Sequence, residues 1–593
     1  MPQYTPPARD MQFVLHELLD VGNAFAEIPD FSEIDGDIVD QVIDEAGKFC
    51  SEVVFPINAS GDAQGCKRDT DGNVTAPAGF KEAYRQYVEA GWPALACSPD
   101  YGGQGLPELV NNCLYEMLNS ANQAWTMYPG LTHGAYACLA AHGTEEIKQT
   151  YLPKIVEGSW TGTMCLTESH CGTDLGLLRT KAEPNDDGSY RLSGSKIFIS
   201  SGEHDLADNI IHLVLARLPD APAGTKGISL FVVPKFIPDA GGNPGERNGI
   251  RCGAIEEKMG IHGNATCVMN LDEARGWLVG EPHRGLPAMF VMMNGARLGV
   301  GMQSLGLSEV AYQNAVAYAR DRLQMRSLSG PKAKDKPADP IIVHPDVRRM
   351  LMTQKAYTEA GRAFAYWIGL MIDKEHHHPD EAVRKDCAEL VALLTPVIKA
   401  FITDNTFETT NMALQCYGGH GYIREWGMEQ FVRDARINMI YEGTNGVQAL
   451  DLIGRKVLGD GGARLKRFGK LVEAFIKDNA EREDMKEFIE PLSDIGGKLT
   501  KLSGEIGAKA MQNPDEAGAA STAYLRVLGH TIYAYLWARM ARIALDKQGD
   551  SFYEAKLATA RFYFARLLPE TAWHIRAARS GAESLMALDE AQF

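Results

Sequence analysis

Four fragments of the sequence bring together residue types that could do chemistry. In Tyr441-Glu442-Gly443-Thr444 a glutamate stands just ahead of a helix start, where its charge suits the helix dipole whether or not it also takes a proton. The stretch Cys165-Leu166-Thr167-Glu168-Ser169-His170-Cys171-Gly172-Thr173-Asp174 gathers hydroxyls and a glycine at a turn. Such a turn can offer hydroxyl and backbone N–H donors to a flavin or a phosphate, and the same residues also serve as ordinary N-caps. Lys258-Met259-Gly260-Ile261-His262-Gly263 precedes a strand-like run, and Gln415, Gly418, Gly419, His420, Gly421 and Tyr422 lie in a helical region. Glycines there could let the backbone approach a ligand closely, or could end a helix. Neither fragment follows the strand, Gly-x-Gly-x-x-Gly, helix order of a dinucleotide-binding unit, which disfavours a nicotinamide dehydrogenase. His376-His377-His378 precedes Pro379 and reads as a helix end rather than a metal site. Met289, Met292, Met293 and Met302 read first as core packing, and could also line an adaptable pocket.

The elements that must position these fragments change along the chain. About 160 residues at the start read as helical, with Ile38, Val42, Ile43 and Phe49, then Tyr84, Tyr87, Val88 and Trp92, at near-helical spacing. Between Thr161 and Gly285 short β-type runs take over. The Asp187-Gly188 turn leads into a hairpin whose pieces, Tyr190 to Leu192 and Ser195 to Ser200, flank Ser193-Gly194. Ile210 to Leu218, Gly227 to Val233 and Thr266 to Leu271 follow, with no helices between, which predicts a small antiparallel barrel or sandwich. Long helical patterns at 287–322, 346–373, 380–418 and 445–457 predict a four-helix bundle. One link within it, Ser327 to Pro340, is rich in Pro, Lys and Asp and reads as a solvated loop. Gly459-Asp460-Gly461-Gly462 breaks the chain, and helix then returns, with Ile532, Leu536, Met540 and Ile543 on one apolar face. The expected fold is α+β and multidomain: an N-terminal α-helical domain (1–160), a central antiparallel β-barrel domain (161–285), a C-terminal four-helix bundle (286–457) and an extra helical extension (458–593).

Bulk properties narrow the function classes. A chain of 593 residues is too long for one hydrophobic core. Its net charge of −18 and pI near 5.4 weigh against a nucleic-acid partner, since phosphate binding needs concentrated Lys and Arg. An anionic ligand would need a local basic pocket. The 11 cysteines include no C-x-x-C pair and read as buried free thiols of a reducing cytosol. Met1-Pro2-Gln3-Tyr4-Thr5-Pro6-Pro7 carries neither a signal-peptide nor a transit-peptide pattern. No apolar run approaches the roughly 18 residues of a membrane span. The expectation is a cytoplasmic protein with no membrane and no nucleic-acid partner.

Taken in order and at these separations, the fragments resemble the acyl-CoA dehydrogenase family from about residue 40 to 457. The resemblance is carried by Thr167-Glu168, Gly172-Thr173-Asp174, Lys258-Met259-Gly260, Gln415 with Gly418, Gly419 and Gly421, Arg433-Asp434-Ala435-Arg436, and Ile440-Tyr441-Glu442-Gly443-Thr444. Gly143-Thr144-Glu145-Glu146, Tyr151-Leu152-Pro153 and Gly102-Gly103-Gln104-Gly105 also fit. With its long C-terminal segment the chain looks like the larger bacterial branch that includes 3-methylmercaptopropionyl-CoA dehydrogenases. The resemblance implies an FAD enzyme that introduces a 2,3-trans double bond into an acyl-CoA. The expected substrate is 3-methylmercaptopropionyl-CoA or a short or medium acyl-CoA; long-chain fatty acyl-CoA dehydrogenase and acyl-CoA oxidase are the alternatives. The implied partners are electron-transfer flavoprotein as electron acceptor and further copies of the chain, as a homodimer or dimer of dimers.

Carried over residue by residue, the resemblance makes Glu442 the catalytic base. The rival base position of some branches is Ala296, which cannot take a proton. Met164, Leu166, Thr167, Gly172 and Thr173 match flavin contacts, with Thr173 also near CoA. Phe198 stands where many members stack a Trp on the flavin, and Ser200 where a hydroxyl faces its N5. Arg322, with Gln324 beside it, matches the arginine that pairs with the FAD pyrophosphate of the adjoining subunit, a task suited to a guanidinium fork. Gln415, Gly419 and Thr444 match further FAD contacts. Asn294 and Arg297 fall near the CoA portion, Arg297 being equally readable as a structural ion pair, and Tyr441 and Gly443 flank the base at the substrate. The Glu442 N–H and a ribityl hydroxyl would polarise the thioester carbonyl, stabilising enolate-like charge. The departures are Cys171, Leu177, Gln430, Gly446 and Ser169-His170, which put individual FAD contacts in doubt and leave the base and the pyrophosphate arginine in place. A DNA-binding alkylation-response relative would call for a basic extension, whereas acids and bases here nearly balance.

Overall fold

The computed structural model describes residues 2–547 and 549–593. The chain forms two compact units, one of Ala46–Gly299 and the other of Met1–Glu45 with Val300–Phe593.

The Ala46–Gly299 unit contains a long helix, α1 (Glu108–His142), and a strand-rich part. The strands are β1 (Trp160–Cys165), β2 (Lys181–Pro184), β3 (Tyr190–Ser200), β4 (Asn209–Arg217), β5 (Ile228–Pro234), β6 (Ile250–Ile255) and β7 (Thr266–Val279). Pairing runs β7-β3-β2-β4-β5 and returns from β5 to β7, so five strands close a ring. Closure removes the unpaired edges that an open sheet would expose. β6 joins at β7. β1 joins β4 in parallel, and within the ring β2 also meets β4 in parallel at Lys181↔Arg217, so the expected antiparallel barrel holds two parallel pairings. Asp187-Gly188 does turn β2 into β3, but β3 runs unbroken through Ser193-Gly194. Gly194 fits there because a Cβ would stand 2.5 Å from Thr180 Oγ1.

Strand β4 shows why its sequence is apolar without alternation. Val214 and Ala216 face the barrel core with Phe231, Val233 and Leu192. Ile211, Leu213 and Leu215 face a second core with Trp160, Leu139, Met289 and Met292. A strand covered on both faces needs apolar residues at every position.

The other unit contains α2 (Gly285–Asp321, from Val300 onward), α3 (Pro345–His377), α4 (Glu381–Cys416), α5 (Met428–Asn438) and α6 (Asn445–Asp451). The extension supplies α7 (Asp515–Asp546), α8 (Ser551–Phe562) and α9 (Glu570–Arg579). Helix α7 packs on α3, α4 and α6. Tyr524, Leu528, Ile532, Tyr533, Leu536, Trp537 and Met540 are buried along it, with Tyr533 edge-on to Phe401 at 4.9 Å. The extension is therefore a core helix of the bundle with its cover, not an appendage.

Two expectations need correction. The first helices do not share one domain with the rest of residues 1–160, because Met1–Glu45 packs with the bundle and extension. Phe13 is buried against Phe552 and Tyr553, and Asp10 pairs with Arg362 of α3 and Lys556 of α8. Arg362 also binds Glu309 at 2.6 Å, and Lys556 binds Glu359 at 2.8 Å. These charges tolerate burial because each has opposite partners. Likewise the link from Ser327 to Pro340 is not simply solvated. Buried Asp339 accepts the N–H groups of Ala333, Lys332 and Ser327 at 2.7, 2.9 and 2.8 Å. Those N–H groups and Arg326 hold its carboxyl well below the usual range.

Candidate active site

Glu442 lies between α5 and α6 on a left-handed backbone, at φ 59°. That conformation costs a non-glycine residue about 1–2 kcal/mol and persists only where the surroundings fix it. Gly443 follows at φ 87°, where a Cβ would stand 2.5 Å from Gln448 Nε2. Gln448, itself buried, donates to the Glu442 carbonyl at 3.1 Å. Buried Lys399 of α4 donates to the Gly443 carbonyl at 2.7 Å and to Asn445 Oδ1 at 2.9 Å. Asn445 Nδ2 donates to Asp404 Oδ1 at 2.6 Å and Thr403 Oγ1 at 2.9 Å. The Tyr441 hydroxyl donates to Asn438 Oδ1 at 3.0 Å and to Gln303. The backbone around Glu442 is thus fixed on several sides, while its side chain is only half-buried. A carboxylate so placed can present one oxygen repeatedly to one point.

Thr444 caps α6 by accepting the Val447 N–H at 3.4 Å, which gives it a structural task beside any ligand contact. Arg322 and Gln324 have exposed side chains on a tethered backbone: Arg322 N–H donates to Tyr318 O at 2.8 Å and Gln324 N–H to Asp339 O at 3.0 Å. Gln415 and Gly419 are also exposed. Of the departures, Gln430 is buried and donates to Asp434 at 3.3 Å.

In the Ala46–Gly299 unit the candidate cofactor residues surround a bulge. Between the pairs Cys267↔Ile199 and Met269↔Lys196, β3 carries one residue more than β7. The bulge puts Phe198 at φ 58° and leaves it 59% exposed. An extra residue in a strand re-aims a side chain in this way. Ile197 N–H donates to Thr167 O at 2.9 Å, holding the bulge against the segment Met164 to Thr173. Lys196, with no exposed surface, donates to Leu166 O at 3.0 Å and Glu168 Oε1 at 2.9 Å. Glu168 also accepts from Thr180 N and Oγ1 at 3.0 and 2.6 Å and from Arg179 N at 2.8 Å. Burial alone would raise its pKa, but Lys196 and these donors hold it at about 2. Thr167 and Ser200 are half-buried, and Gly172 and Thr173 are exposed. An outward aromatic ring beside a turn carrying hydroxyls suits a planar, hydrogen-bonding cofactor. Along α2, Arg297 donates to Asn294 Oδ1 at 3.2 Å.

Sequence reasoning missed Lys399, Asn445, Gln448 and the Lys196–Glu168 pair. Lys196 had a signal, because Leu192 and Lys196 lie four apart on one buried strand face. Lys399 had none.

The chain belongs to the acyl-CoA dehydrogenase family, and it is an FAD-dependent oxidoreductase of the acyl-CoA dehydrogenase type. Models of the family's N-terminal, middle and C-terminal domains match residues 39–159, 163–274 and 283–458, and an "Acetyl-CoA dehydrogenase C-terminal like" model matches 468–589. The 3-methylmercaptopropionyl-CoA dehydrogenase of Ruegeria pomeroyi is 42% identical over 98% of this chain and 99% of its own. A broad-specificity linear acyl-CoA dehydrogenase of Mycobacterium tuberculosis is 35% identical across 100% of both. The crystal structure of Caenorhabditis elegans ACDH-11 in complex with C11-CoA superposes at a TM-score of 0.78, with 20% identity, covering 98% of this chain and 95% of that one. The fold, including the extension, is therefore shared. Among the described residues no helix is long and apolar enough to cross a membrane.

Proposed function

We propose that Glu442 is the base of a 2,3-dehydrogenation of an acyl-CoA thioester, with 3-methylmercaptopropionyl-CoA as the preferred substrate. The observation that carries the catalytic assignment is the left-handed Glu442 on a turn fixed by Lys399, Gln448 and Asn445. A strained backbone so firmly held fits a group that must present its carboxylate in one place. Glu442 takes the α-proton, and its backbone N–H, stiffened with the turn, hydrogen-bonds the thioester oxygen as charge develops there. FAD, when bound, supplies the two-electron acceptor for the β-hydride. Phe198 would hold its ring system, the hydroxyls of Thr167, Thr173 and Ser200 would offer it hydrogen bonds, and Met164, Leu166 and Gly172 would shape the same surface. Arg322 with Gln324, and Gln415, Gly419 and Thr444, would hold the rest of the cofactor, Arg322 that of an adjoining copy. Asn294, Arg297, Tyr441 and Gly443 serve the substrate.

The substrate assignment is supported by the near full-length likeness to the R. pomeroyi enzyme. The M. tuberculosis relative favours a second reading, a broad linear acyl-CoA range. A kcat/KM panel of thioesters from C4 to C16, with 3-methylmercaptopropionyl-CoA included, separates them. A clear preference for the thioether is expected; a flat profile would sink that assignment and leave the broad one. We take electron-transfer flavoprotein as the oxidant and the cytoplasm, suited to 11 free thiols, as the location. Reoxidation of substrate-reduced enzyme should be faster with that flavoprotein than with oxygen, and the reverse result would make the enzyme an oxidase.

A further inference from the structure

We propose that the C-terminal extension seats the base: Arg526 of α7 is a positioning residue that acts on the Glu442–Gly443 turn through Asn405, Asp404, Asn445 and Lys399. The inference rests on Glu442 being the base. Two independent observations carry it. Helix α7 packs directly on α6, the helix that begins three residues after Glu442. Polar contacts also run from α9 to Asn405 of α4, and from Asp404, its neighbour on that helix, to the turn.

The line begins at Glu570, which accepts from His574 Nε2 at 2.9 Å and from Arg526 Nη2 at 3.0 Å. Arg526 lies 4.7 Å over the Phe401 ring, which fixes the plane of its guanidinium. Its other nitrogen, Nη1, donates to Asn405 Oδ1 at 2.6 Å. The neighbouring Asp404 accepts from Asn445 Nδ2 at 2.6 Å. Burial raises the Asp404 pKa, and Arg526 is foremost among the cations that oppose the rise and so favour its acceptor form. Asn445 then has one satisfactory orientation, its NH2 towards Asp404 and its oxygen towards Lys399 at 2.9 Å. Lys399 completes the line at the Gly443 carbonyl, 2.7 Å away. From Asp404 onward each member has its orientation set by the one before it, while Arg526 and Asn405 join that line through the shared backbone of α4 and the charge of the guanidinium. Removing Arg526 weakens the hold on Asp404, the shortest acceptor of the Asn445 amide, and leaves that amide to Thr403 Oγ1 at 2.9 Å and the Ala400 carbonyl at 3.3 Å. That loosens a left-handed turn which, on backbone preference alone, would not stay as it is.

The test uses FAD-loaded full-length enzyme and the better of butyryl-CoA and 3-methylmercaptopropionyl-CoA, with flavin reduction followed by stopped flow. Arg526→Met and Asn405→Ala should each lower the limiting reduction rate about 10-fold, with half-saturating substrate within about 2-fold and FAD content unchanged. Lys399→Met should lower it about 100-fold, and the Arg526→Met/Lys399→Met double variant should be no slower than Lys399→Met alone, because both act along one line. A merely structural role would scatter into FAD loss or substrate affinity and would give multiplying effects. Asn405→Ala carries the test if Arg526→Met does not fold. Wild-type limiting rates in both Arg526→Met and Asn405→Ala, or multiplying effects, would overturn the inference while leaving the dehydrogenase reading intact. Wild-type enzyme that no acyl-CoA reduces would instead overturn that reading, and this inference with it.

Discussion

The turn at Glu442 and the bulge at Phe198 solve one problem in two ways. Each presents a non-glycine residue on a left-handed backbone, at φ 59° and 58°. Each is buttressed by a lysine with no exposed surface that donates to a backbone carbonyl, Lys399 to Gly443 and Lys196 to Leu166. The difference lies in what else the lysine meets. Lys196 pairs with Glu168, a carboxylate saturated by backbone and hydroxyl donors. Lys399 donates to the amide oxygen of Asn445, which reaches a carboxylate only at one remove, through Asp404. A closed ion pair makes a rigid support, as the cofactor surface proposed at the bulge requires. An open relay leaves the turn sensitive to neighbours, which suits a group that must be aimed.

Chemistry separates the two most sharply. Glu442→Gln should keep FAD and acyl-CoA binding and lose flavin reduction by about 10^4-fold, since an amide cannot accept the proton. Near wild-type bleaching of the flavin in that variant would end the assignment. At the barrel the loss should be in stability. Lys196→Met leaves Glu168 buried without its cation and should cost about 3–5 kcal/mol in thermal or denaturant unfolding. Pairing it with Glu168→Gln should recover much of that loss, and an unaffected single variant would show that the ion pair supports nothing.

Protons should act on both units, on the barrel through His204 and His212 and on the bundle through His530, whose pKa burial lowers from 6.5 to about 4. His204 hydrogen-bonds Thr161 Oγ1 at 2.9 Å and His212 hydrogen-bonds Thr163 Oγ1 at 2.7 Å, both fully within the unit. Burial lowers each from the usual 6.5 to about 3, helped by Lys235 at His204 and by Arg247 and then Lys235 at His212. At these two sites the unfolded chain therefore takes up protons that the folded one refuses. Their contribution is complete above about pH 6.5 and is lost as pH falls towards about 3, at roughly 1.4 kcal/mol per pH unit for each histidine. Glu168, held at about 2 against the usual 4.5, adds a loss of the same sign at lower pH. The melting temperature should fall steadily from pH 7 to 5, and substituting both barrel histidines by Gln should lessen that fall, with His530 left to supply the remainder. The smallest effect is expected at Gly443. Gly443→Ala meets both the φ of 87° and Gln448 Nε2, and should cost about 1–3 kcal/mol of stability with a greater loss of reduction rate than of FAD. Loss of FAD with the rate kept would move Gly443 from the base to the cofactor side.

Much of this was legible in the residues. Short β-type runs between Gly, Pro and Asp turns marked the strand-rich region, and Glu442 stood out by its ordered neighbours. The helical reading of the extension was also sound, since Ile532, Leu536 and Met540 repeat at one-turn spacing and are buried. What failed to show were the partners. A lysine at 399 in a helix looks like any solvated lysine until α4 is laid against the turn. Asp339 in a Pro- and Lys-rich link looks like loop composition until its carboxyl gathers three N–H groups.

The sequence by itself determined the family and the order of the elements, and it singled out Glu442 as the candidate base, because these depend on residue types at fixed separations along the chain. Tertiary structure alone decided that Met1–Glu45 belongs with the bundle, that the extension is core, and that Arg526 meets Asn405 while Lys399 meets Gly443. Those facts join residues up to about 550 positions apart, and pairing over such distances is set by which surfaces the packed helices bring together, a choice no local pattern encodes.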